Sequence, residues 1–396
     1  MSKKILIIDD SALMRRVISD IIKSGNDYEV ADIARDGVEG FDLIVSNPNL
    51  YSAIILDINM PKMNGLELLE KLQKMHIQQT VIVVSTVAKQ GAKETIKALE
   101  FGAFDFVTKP ENYLETKGEV FKNQIHQMLD VATSVSTRKT TVRETVSRRP
   151  ETTGQTSVSG VGSTAAKSQP IVENAFVSKF NRISDNSIVR TVDSKMYSSV
   201  KRGSKKIIAL ACSTGGPKSL QQVIPYLPKD IDAPVVLVQH MPAGFTASLA
   251  QRLDELSKVH VKEAQDGDVL TNGTVYIAPG GSHMRVVKSG NSHVIKISYE
   301  PAIDGLRPCA NVMYESLETC GYDDITCVVL TGMGADGTKG LKGLSGRTAN
   351  IHVIAQDEDT CVVYGMPKAI AQAGLVNVVA PLSHVAEEIT KNVGVS

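Results

Sequence analysis

Short apolar runs alternate with segments of helical periodicity in the first third of the chain, and this alternation restricts the fold more than any other feature of the sequence. Between residues 4 and 132 the pattern repeats five times, with apolar runs at 5–8, 30–34, 53–56, 81–84 and 104–107. Each run has the length and composition of a buried strand. Five such units predict an α/β fold with a doubly wound parallel sheet, whose functional edge lies at the carboxyl ends of its strands.

Polar side chains stand at the ends of these runs, on the predicted functional edge. They are Asp9, Asp10, Asp57, Ser85, Thr86 and Lys109. A single acid in such a place is usually a solvated loop residue, but carboxylates gathered from two strand ends repel one another unless a cation lies between them. An all-oxygen site suits Mg²⁺, which predicts a metal held by Asp9, Asp10 and Asp57. Lys109 also precedes Pro110, where a cis peptide is favoured more than elsewhere.

These residues belong to longer motifs. DD at 9–10, LDINMPKMNG at 56–65, ST at 85–86 and TKP at 108–110 resemble the receiver domain of bacterial response regulators over residues 3–125. The resemblance implies a five-stranded flavodoxin-like receiver in which Asp57 accepts a phosphoryl group from a histidine kinase and Asp9 and Asp10 hold Mg²⁺. It further implies that Ser85, before Thr86, bonds the phosphoryl group and that Lys109 pairs with it.

Composition changes after the first domain. Residues 131–170 are rich in Ser and Thr and contain no Leu, Ile, Phe or Tyr, so they offer too little apolar surface to offset the entropy of ordering. We therefore predict a receiver domain at 1–125, a flexible linker at 126–204 and a second domain at 205–396.

The overall charge limits the partners. Lys plus Arg and Asp plus Glu both number 43, which argues against nucleic acid as a partner. No apolar run reaches the roughly 18 residues of a membrane span and no signal peptide is visible, so we predict a cytoplasmic protein. We also expect it to be a monomer. The five cysteines lack CxxC spacing, which argues against a disulfide framework or a zinc site.

The second domain begins with KIIALACSTGGPKS at 206–219, in which an apolar strand turns through two glycines into a helix. Ser213 lies at this turn, which suits a nucleophilic serine with an oxyanion hole, a phosphate cradle or a plain structural turn. Further strand runs at 235–241, 325–337 and 351–356 predict a second, mainly parallel α/β sheet. The stretch 261–298 differs, because its period-two alternation and Gly turns predict β-hairpins inserted beside that sheet.

Three chemical groups fall at strand ends of this second sheet. Ser213, His240 and Asp336 would meet at one edge, where His240 takes the serine proton and Asp336 orients the imidazole. The backbone N–H groups of Thr214, Met333 and Gly334 are candidates for an oxyanion hole. Each member has a structural alternative, since a histidine after a strand and an aspartate between glycines are common without catalysis.

Two other side chains could take the same roles. Cys212 is a rival nucleophile, but strand alternation directs it away from Ser213. His283, which follows a Pro-Gly-Gly turn, is the next best histidine.

The second domain also carries motifs of a known family. CSTGGP at 212–217, QHMPAGFT at 239–246, VYIAPGGSHM at 275–284, LTGMGADG at 330–337 and CVVYGMPKAIAQAG at 361–374 resemble the catalytic domain of bacterial chemotaxis protein-glutamate methylesterases, the CheB family. The resemblance implies hydrolysis of glutamyl methyl esters on chemoreceptors and deamidation of receptor glutamines, without a cofactor in this domain. It places Ser213, His240 and Asp336 in the catalytic triad.

Some features depart from the family pattern. Ala211 stands where glycine is usual, the sequence at 301–310 differs from the usual basic sequence before its Arg-Pro, and the linker is long. Two other interpretations remain at this point. In one, the second domain is a non-catalytic ligand-binding output module, and in the other, less favoured by charge, the chain is a DNA-binding response regulator.

Overall fold

A computed structural model of the chain describes residues 2–86, 88–110, 118–146, 204–346 and 349–395. The first sheet contains β1 (Lys3–Ile8), β2 (Tyr28–Ala34), β3 (Ala53–Asp57), β4 (Val81–Ser85) and β5 (Asp105–Thr108). Its helices are α1 (Ala12–Lys23), α2 (Gly37–Ser46), α3 (Gly65–Lys74), α4 (Lys89–Glu100) and α5 (Glu119–Val146). All strand pairs are parallel, in the order β2-β1-β3-β4-β5.

Alternate side chains of the central strands enter two separate cores. Leu6 and Ile8 pack on one face of the sheet, whereas Ile5 and Ile7 pack on the other. A strand whose two faces are both covered by helices reads as a continuous apolar run, as these strands do. The doubly wound fold predicted for this domain is confirmed.

The last helix of this domain continues beyond residue 125, the predicted boundary of the domain. Phe121, Ile125, Leu129 and Ala132 are buried against the first sheet, at helical spacings of three and four. The helix runs to Val146, so it includes residues that we assigned to the linker from composition. A Ser/Thr-rich segment can therefore be helical when it continues a helix whose first turns are already packed against the sheet. The rest of the predicted linker, residues 147–203, lies outside the described residues.

The second sheet has seven parallel strands. They are β6 (Lys206–Cys212), β7 (Val235–Gln239), β8 (His260–Glu263), β9 (Thr274–Ile277), β12 (Asp324–Val329), β13 (Asn350–Gln356) and β14 (Val378–Ala380), in the spatial order β14-β13-β12-β6-β7-β9-β8. The helices around it are α6 (Gly216–Leu220), α7 (Phe245–Leu256), α8 (Ala310–Leu317), α9 (Thr338–Ser345), α10 (Met366–Gln372) and α11 (Leu382–Val393). Nowhere in the described part of the chain does a helix combine the length and apolarity needed to cross a bilayer.

Within the described ranges, one antiparallel two-stranded sheet lies beside this sheet. It pairs β10 (His283–Ser289) with β11 (Ser292–Ser298). Our prediction of hairpins over the whole stretch 261–298 is wrong for its first half, because β8 and β9 pair in parallel and join the main sheet through β7. All four residues of β9 are buried, which is the burial of an inner strand and not of a hairpin with one solvated face.

Candidate active site

Strand β6 is the switch point of the second sheet. It lies between β7 and β12, so the chain leaves it in one direction for β7 and later reaches its other side at β12. Loops at such a point open a crevice at the carboxyl ends of the strands. Ser213 directly follows β6, His240 directly follows β7, and Asp336 lies in the turn after β12.

The two glycines after Thr214 are required by space and by backbone conformation. Gly215 has a φ of 75°, and a Cβ there would lie 2.5 Å from Cβ of Val362. A Cβ on Gly216 would lie 2.0 Å from Oε1 of Gln239. Only glycine fits both positions, so the tight turn that presents Ser213 depends on this pair.

Ser213 is held from two sides through its backbone. Its N–H donates to the carbonyl of Thr331 at 3.0 Å, and its own carbonyl accepts from the N–H of Gly216 at 2.7 Å. Gly332 packs directly on it, since a Cβ on Gly332 would lie 2.9 Å from Cβ of Ser213. The half-buried serine is therefore fixed by the turn, with the loop after β12 in contact with it.

His240 and Asp336 form a hydrogen-bonded pair. Nε2 of His240 lies 2.8 Å from Oδ2 of Asp336, and the two side chains are only 8% and 5% exposed. With Nε2 facing the carboxylate, Nδ1 is the ring nitrogen left for a proton from Ser213. Among the described residues, Oγ of Ser213 has no hydrogen bond to this ring, which is usual before substrate binding tightens a catalytic site.

The carboxylate of Asp336 is surrounded by donors at the start of α8. Its oxygens accept from the N–H groups of Ala310 at 2.6 Å and Asn311 at 3.0 Å, and from the thiol of Cys309 at 3.2 Å. Burial opposes the charge, but His240 and these N–H groups outweigh it and lower the pKa of Asp336 to about 2. The acid is therefore ionised at any physiological pH, as a group that stabilises an imidazolium must be.

The three predicted oxyanion-hole groups border the same crevice. Within the described ranges, the backbone N–H groups of Thr214, Met333 and Gly334 have no intramolecular hydrogen-bond partner. Gly334 has a φ of 80°, which turns the loop after β12 sharply beside the serine. Free N–H groups at such a turn are suitable donors for a developing oxyanion.

The rival residues lie elsewhere. Cys212 is fully buried, its thiol donates to Oε1 of Gln239 at 3.1 Å, and burial raises the pKa of the thiol, so it is a poor nucleophile. His283 is also fully buried, and its Nε2 donates to the carbonyl of Pro301 at 3.1 Å. Neither side chain makes a hydrogen bond to Ser213, His240 or Asp336 among the residues that the structure describes.

In the first domain, the predicted acidic pocket is assembled. Carboxylate oxygens of Asp9, Asp10 and Asp57 lie within 4.8 Å of one another, an all-oxygen set that fits Mg²⁺. Nζ of Lys109 lies 3.0 Å from Asp9 and 2.8 Å from Asp57. Burial raises the pKa of Asp57, and the charge of Lys109 opposes that rise in part.

The two hydroxyl residues of this pocket differ. Ser85 is buried and donates to the carbonyl of Gly91 at 3.3 Å, whereas Thr86 is exposed.

The cis peptide expected before Pro110 is absent. In the described part of the chain the peptide between Arg307 and Pro308 is the one in the cis form.

The first domain contacts the crevice of the second. Phe106 stacks on Phe245 with ring centroids 4.6 Å apart, and Arg252 makes two hydrogen bonds to Glu100, at 2.6 and 3.1 Å. Nearer the serine, the buried carboxyl of Asp105 interacts with the hydroxyl of Thr214 and the N–H of Gly215.

A second contact reaches the other side of the crevice. Nε2 of Gln127 lies 3.8 Å from the sulfur of Met333. The receiver therefore touches both loops that flank the candidate nucleophile.

Sequence reasoning missed several residues of this site. Contacts to Ser213, Asp336 or the turn after β6 are made by four residues that sequence patterns did not indicate, Gln239, Thr331, Cys309 and Asp105. A signal existed for Gln239 and Thr331, because each is a fully buried polar residue at the end of an apolar strand run. Asp105 lies within the apolar run 104–107, but the sequence could not reveal its contacts, since its partners belong to the other domain.

Two family models match separate parts of the chain. The response regulator receiver domain model matches residues 5–118, and the CheB methylesterase model matches residues 208–389. The solved Thermotoga maritima CheB methylesterase catalytic domain is 42% identical and aligns with 47% of this chain and 97% of its own, with a TM-score of 0.45.

Relatives of full length are also similar. The protein-glutamate methylesterase/protein-glutamine glutaminase of Bacillus subtilis is 38% identical over 389 residues, covering 98% of this chain and 97% of the relative. The protein of the same name from Desulfotalea psychrophila is 36% identical over 393 residues, 98% of each chain. Identity at this level over both domains means that the chain belongs to the CheB family of protein-glutamate methylesterases/protein-glutamine glutaminases.

Proposed function

We propose that this enzyme hydrolyses glutamyl methyl esters of chemoreceptors, and deamidates receptor glutamines, through a Ser213–His240–Asp336 triad under control of its receiver domain. The observation that carries the catalytic part is the buried His240–Asp336 pair, 2.8 Å long, at the strand ends beside Ser213. A non-catalytic binding module has no need of an ionised acid that orients a histidine next to a free hydroxyl.

The reaction follows from these groups. Oγ of Ser213 attacks the ester carbonyl while its proton passes to Nδ1 of His240, and Asp336 stabilises the imidazolium through Nε2. The N–H groups of Thr214, Met333 and Gly334 receive the negative charge on the carbonyl oxygen.

Collapse of this intermediate completes the chemistry. Methanol leaves with the proton from His240, or ammonia leaves when the substrate is glutamine. Water then attacks the acyl-enzyme with His240 as base, which releases a glutamate side chain and restores Ser213.

The receiver contacts support a regulatory role. Asp105 and Gln127 touch the loops that carry Thr214 and Met333, so the unphosphorylated receiver covers the crevice. Phosphorylation of Asp57 by a histidine kinase changes the charges around Lys109 and Ser85, and this weakens the contacts across the interface.

The phosphorylation site has the groups for such a transfer. Asp9, Asp10 and Asp57 would hold Mg²⁺, which when bound supplies charge neutralisation for the incoming phosphoryl group. Lys109, already between Asp9 and Asp57, pairs with the new phosphoryl oxygens, and Ser85 in preference to Thr86 donates to one of them. We place the working units at 1–125, 126–204 and 205–396, with the enzyme acting as a cytoplasmic monomer.

The test is methanol release from methylated chemoreceptor membranes by the wild type and by Ser213→Ala, Cys212→Ala and Asp57→Asn, each with and without a small-molecule phosphodonor. We expect Ser213→Ala to abolish release and Cys212→Ala to retain most of it. Stimulation by the phosphodonor should disappear in Asp57→Asn. Release that survives in Ser213→Ala contradicts the mechanism, and stimulation that survives in Asp57→Asn contradicts the switch.

A further inference from the structure

Gln239, the last residue of β7, lies between the candidate nucleophile and the candidate base. Its side chain is 2% exposed and points toward the turn after β6, not into the core of the sheet. No other side chain in the described part of the chain makes hydrogen bonds to both Ser213 and His240.

Both polar atoms of the amide make hydrogen bonds. Nε2 donates to the carbonyl of Ser213 and to the carbonyl of His240, both at 3.1 Å, and Oε1 accepts from the thiol of Cys212 at 3.1 Å. Because an amide NH₂ has two hydrogens in a fixed plane, these bonds set the distance and angle between the two carbonyls. The backbones of Ser213 and His240 are thus tied to one rigid group.

The surrounding chain makes room for this amide. Gly216 lies so close that a Cβ would be 2.0 Å from Oε1, so the second glycine of the turn serves the glutamine as well as the turn itself. On the other side, the hydroxyl of Thr331 donates to the carbonyl of Thr214 at 3.0 Å. The turn is therefore held from β12 by Thr331 and from β7 by Gln239. In the described part of the chain Gln239 is the side chain that bonds both Ser213 and His240, beside the backbone hydrogen bond from the N–H of His240 to the carbonyl of Cys212 at 3.2 Å.

We propose that Gln239 is a positioning residue for catalysis, which sets the separation between Oγ of Ser213 and the ring of His240. This inference rests on the triad proposed above. Gln239 touches neither a substrate nor the reacting atoms, so its loss should lower kcat and leave KM nearly unchanged.

Two variants of the full-length enzyme test this role. Gln239→Glu keeps the shape but places a carboxylate against two carbonyl oxygens, and Gln239→Met keeps the volume but removes the donors. The probe is a fluorophosphonate, which reacts with Oγ of an activated serine with loss of fluoride and needs no receptor. Gln372→Glu, the same change at an exposed position of α10, is the control.

We expect both variants to react with the probe at least tenfold more slowly than the wild type, which corresponds to about 1.4 kcal/mol of transition-state stabilisation. Acidification should raise the rate of Gln239→Glu relative to the wild type, because a protonated carboxyl can again donate to one carbonyl. Gln239→Met should show no such pH-dependent recovery. The kcat for methanol release should fall in parallel with the labelling rate.

The outcomes separate this inference from the proposed mechanism. If the wild type is not labelled at Ser213, the triad itself is wrong. If the wild type is labelled and both variants react within twofold of it with the same pH profile, the positioning role is refuted. Should Gln239→Glu fail to fold, as judged by its thermal unfolding, Gln239→Met gives the decision through its labelling rate and its kcat.

Discussion

Replacement of Asp336 by asparagine should place a proton on the wrong nitrogen of His240. Every group around the carboxylate of Asp336 is a donor, with the N–H of Ala310 and Nε2 of His240 directed at Oδ2. The N–H groups of Asn311 and Gly337 and the thiol of Cys309 are directed at Oδ1. An asparagine must aim its own NH₂ at one of these two sets.

His240 can accommodate this change by moving its proton from one ring nitrogen to the other, which the backbone N–H groups cannot do. If the NH₂ replaces Oδ2, His240 can accept from it only through an unprotonated Nε2, and the ring proton then moves to Nδ1. In the proposed mechanism that nitrogen takes the proton of Ser213, and once it is protonated it can no longer do so. The corresponding change in a Ser-His-Asp protease lowers kcat by about 10⁴-fold, or about 5 kcal/mol, and we expect a loss of that order here.

Folding stability should fall less than activity. The difference between the usual pKa of 3.8 and the pKa of about 2 for Asp336 corresponds to about 2 kcal/mol of stabilisation at neutral pH. Because this pKa is lowered by folding, that stabilisation is present above about pH 4 and is lost as the pH falls toward 2. A domain with a typical stability of about 5–15 kcal/mol survives its removal.

The assay is kcat for methanol release, measured beside thermal unfolding, with Asp42→Asn on the receiver surface as a control for the same chemical change. We expect a folded Asp336→Asn enzyme that keeps its KM and has lost nearly all of its kcat. A folded variant with more than about a tenth of the wild-type kcat would refute the tautomer argument.

Three further changes test the interface and the turn. Burial raises the pKa of Asp105 to about 6, so the docked receiver loses stability as the pH rises from about 4 through 6. Asp105→Asn removes this charge and should therefore strengthen docking and lower basal methanol release at neutral pH. Unchanged basal release contradicts this prediction. Arg252→Ala removes both hydrogen bonds to Glu100 and should raise basal methanol release several-fold, with a smaller response to a phosphodonor than the wild type shows. A variant with the same basal release and the same response as the wild type contradicts an inhibitory role of this interface. Gly216→Ala must displace the amide of Gln239 and should slow fluorophosphonate labelling by tenfold or more, whereas labelling at the wild-type rate contradicts the close fit.

Much of the fold could be predicted because burial imposes short-range patterns. The five strands of the first sheet lie within one to two residues of the predicted runs, since strands covered on both faces are continuously apolar. The same rule explains the error at 261–277, where TVYI is an inner strand but the flanking glycines suggested a hairpin. Helix α5 follows a different rule, because its buried residues recur every three or four positions up to Ala132 although the segment after residue 130 is rich in Ser and Thr.

Residues at strand ends could be predicted as a site, but the bonds among them could not. The sequence by itself determined two α/β units, the strand-end positions of Ser213, His240 and Asp336, and the glycines that permit the turn, because these depend on local periodicity and backbone sterics. Only the tertiary structure decided that Gln239 joins the serine to the histidine, that Nε2 faces Asp336, and that Asp105 lies against Thr214. Those contacts depend on the register of neighbouring strands and on the docking of two domains, which bring together side chains far apart in sequence and leave no local pattern along the chain.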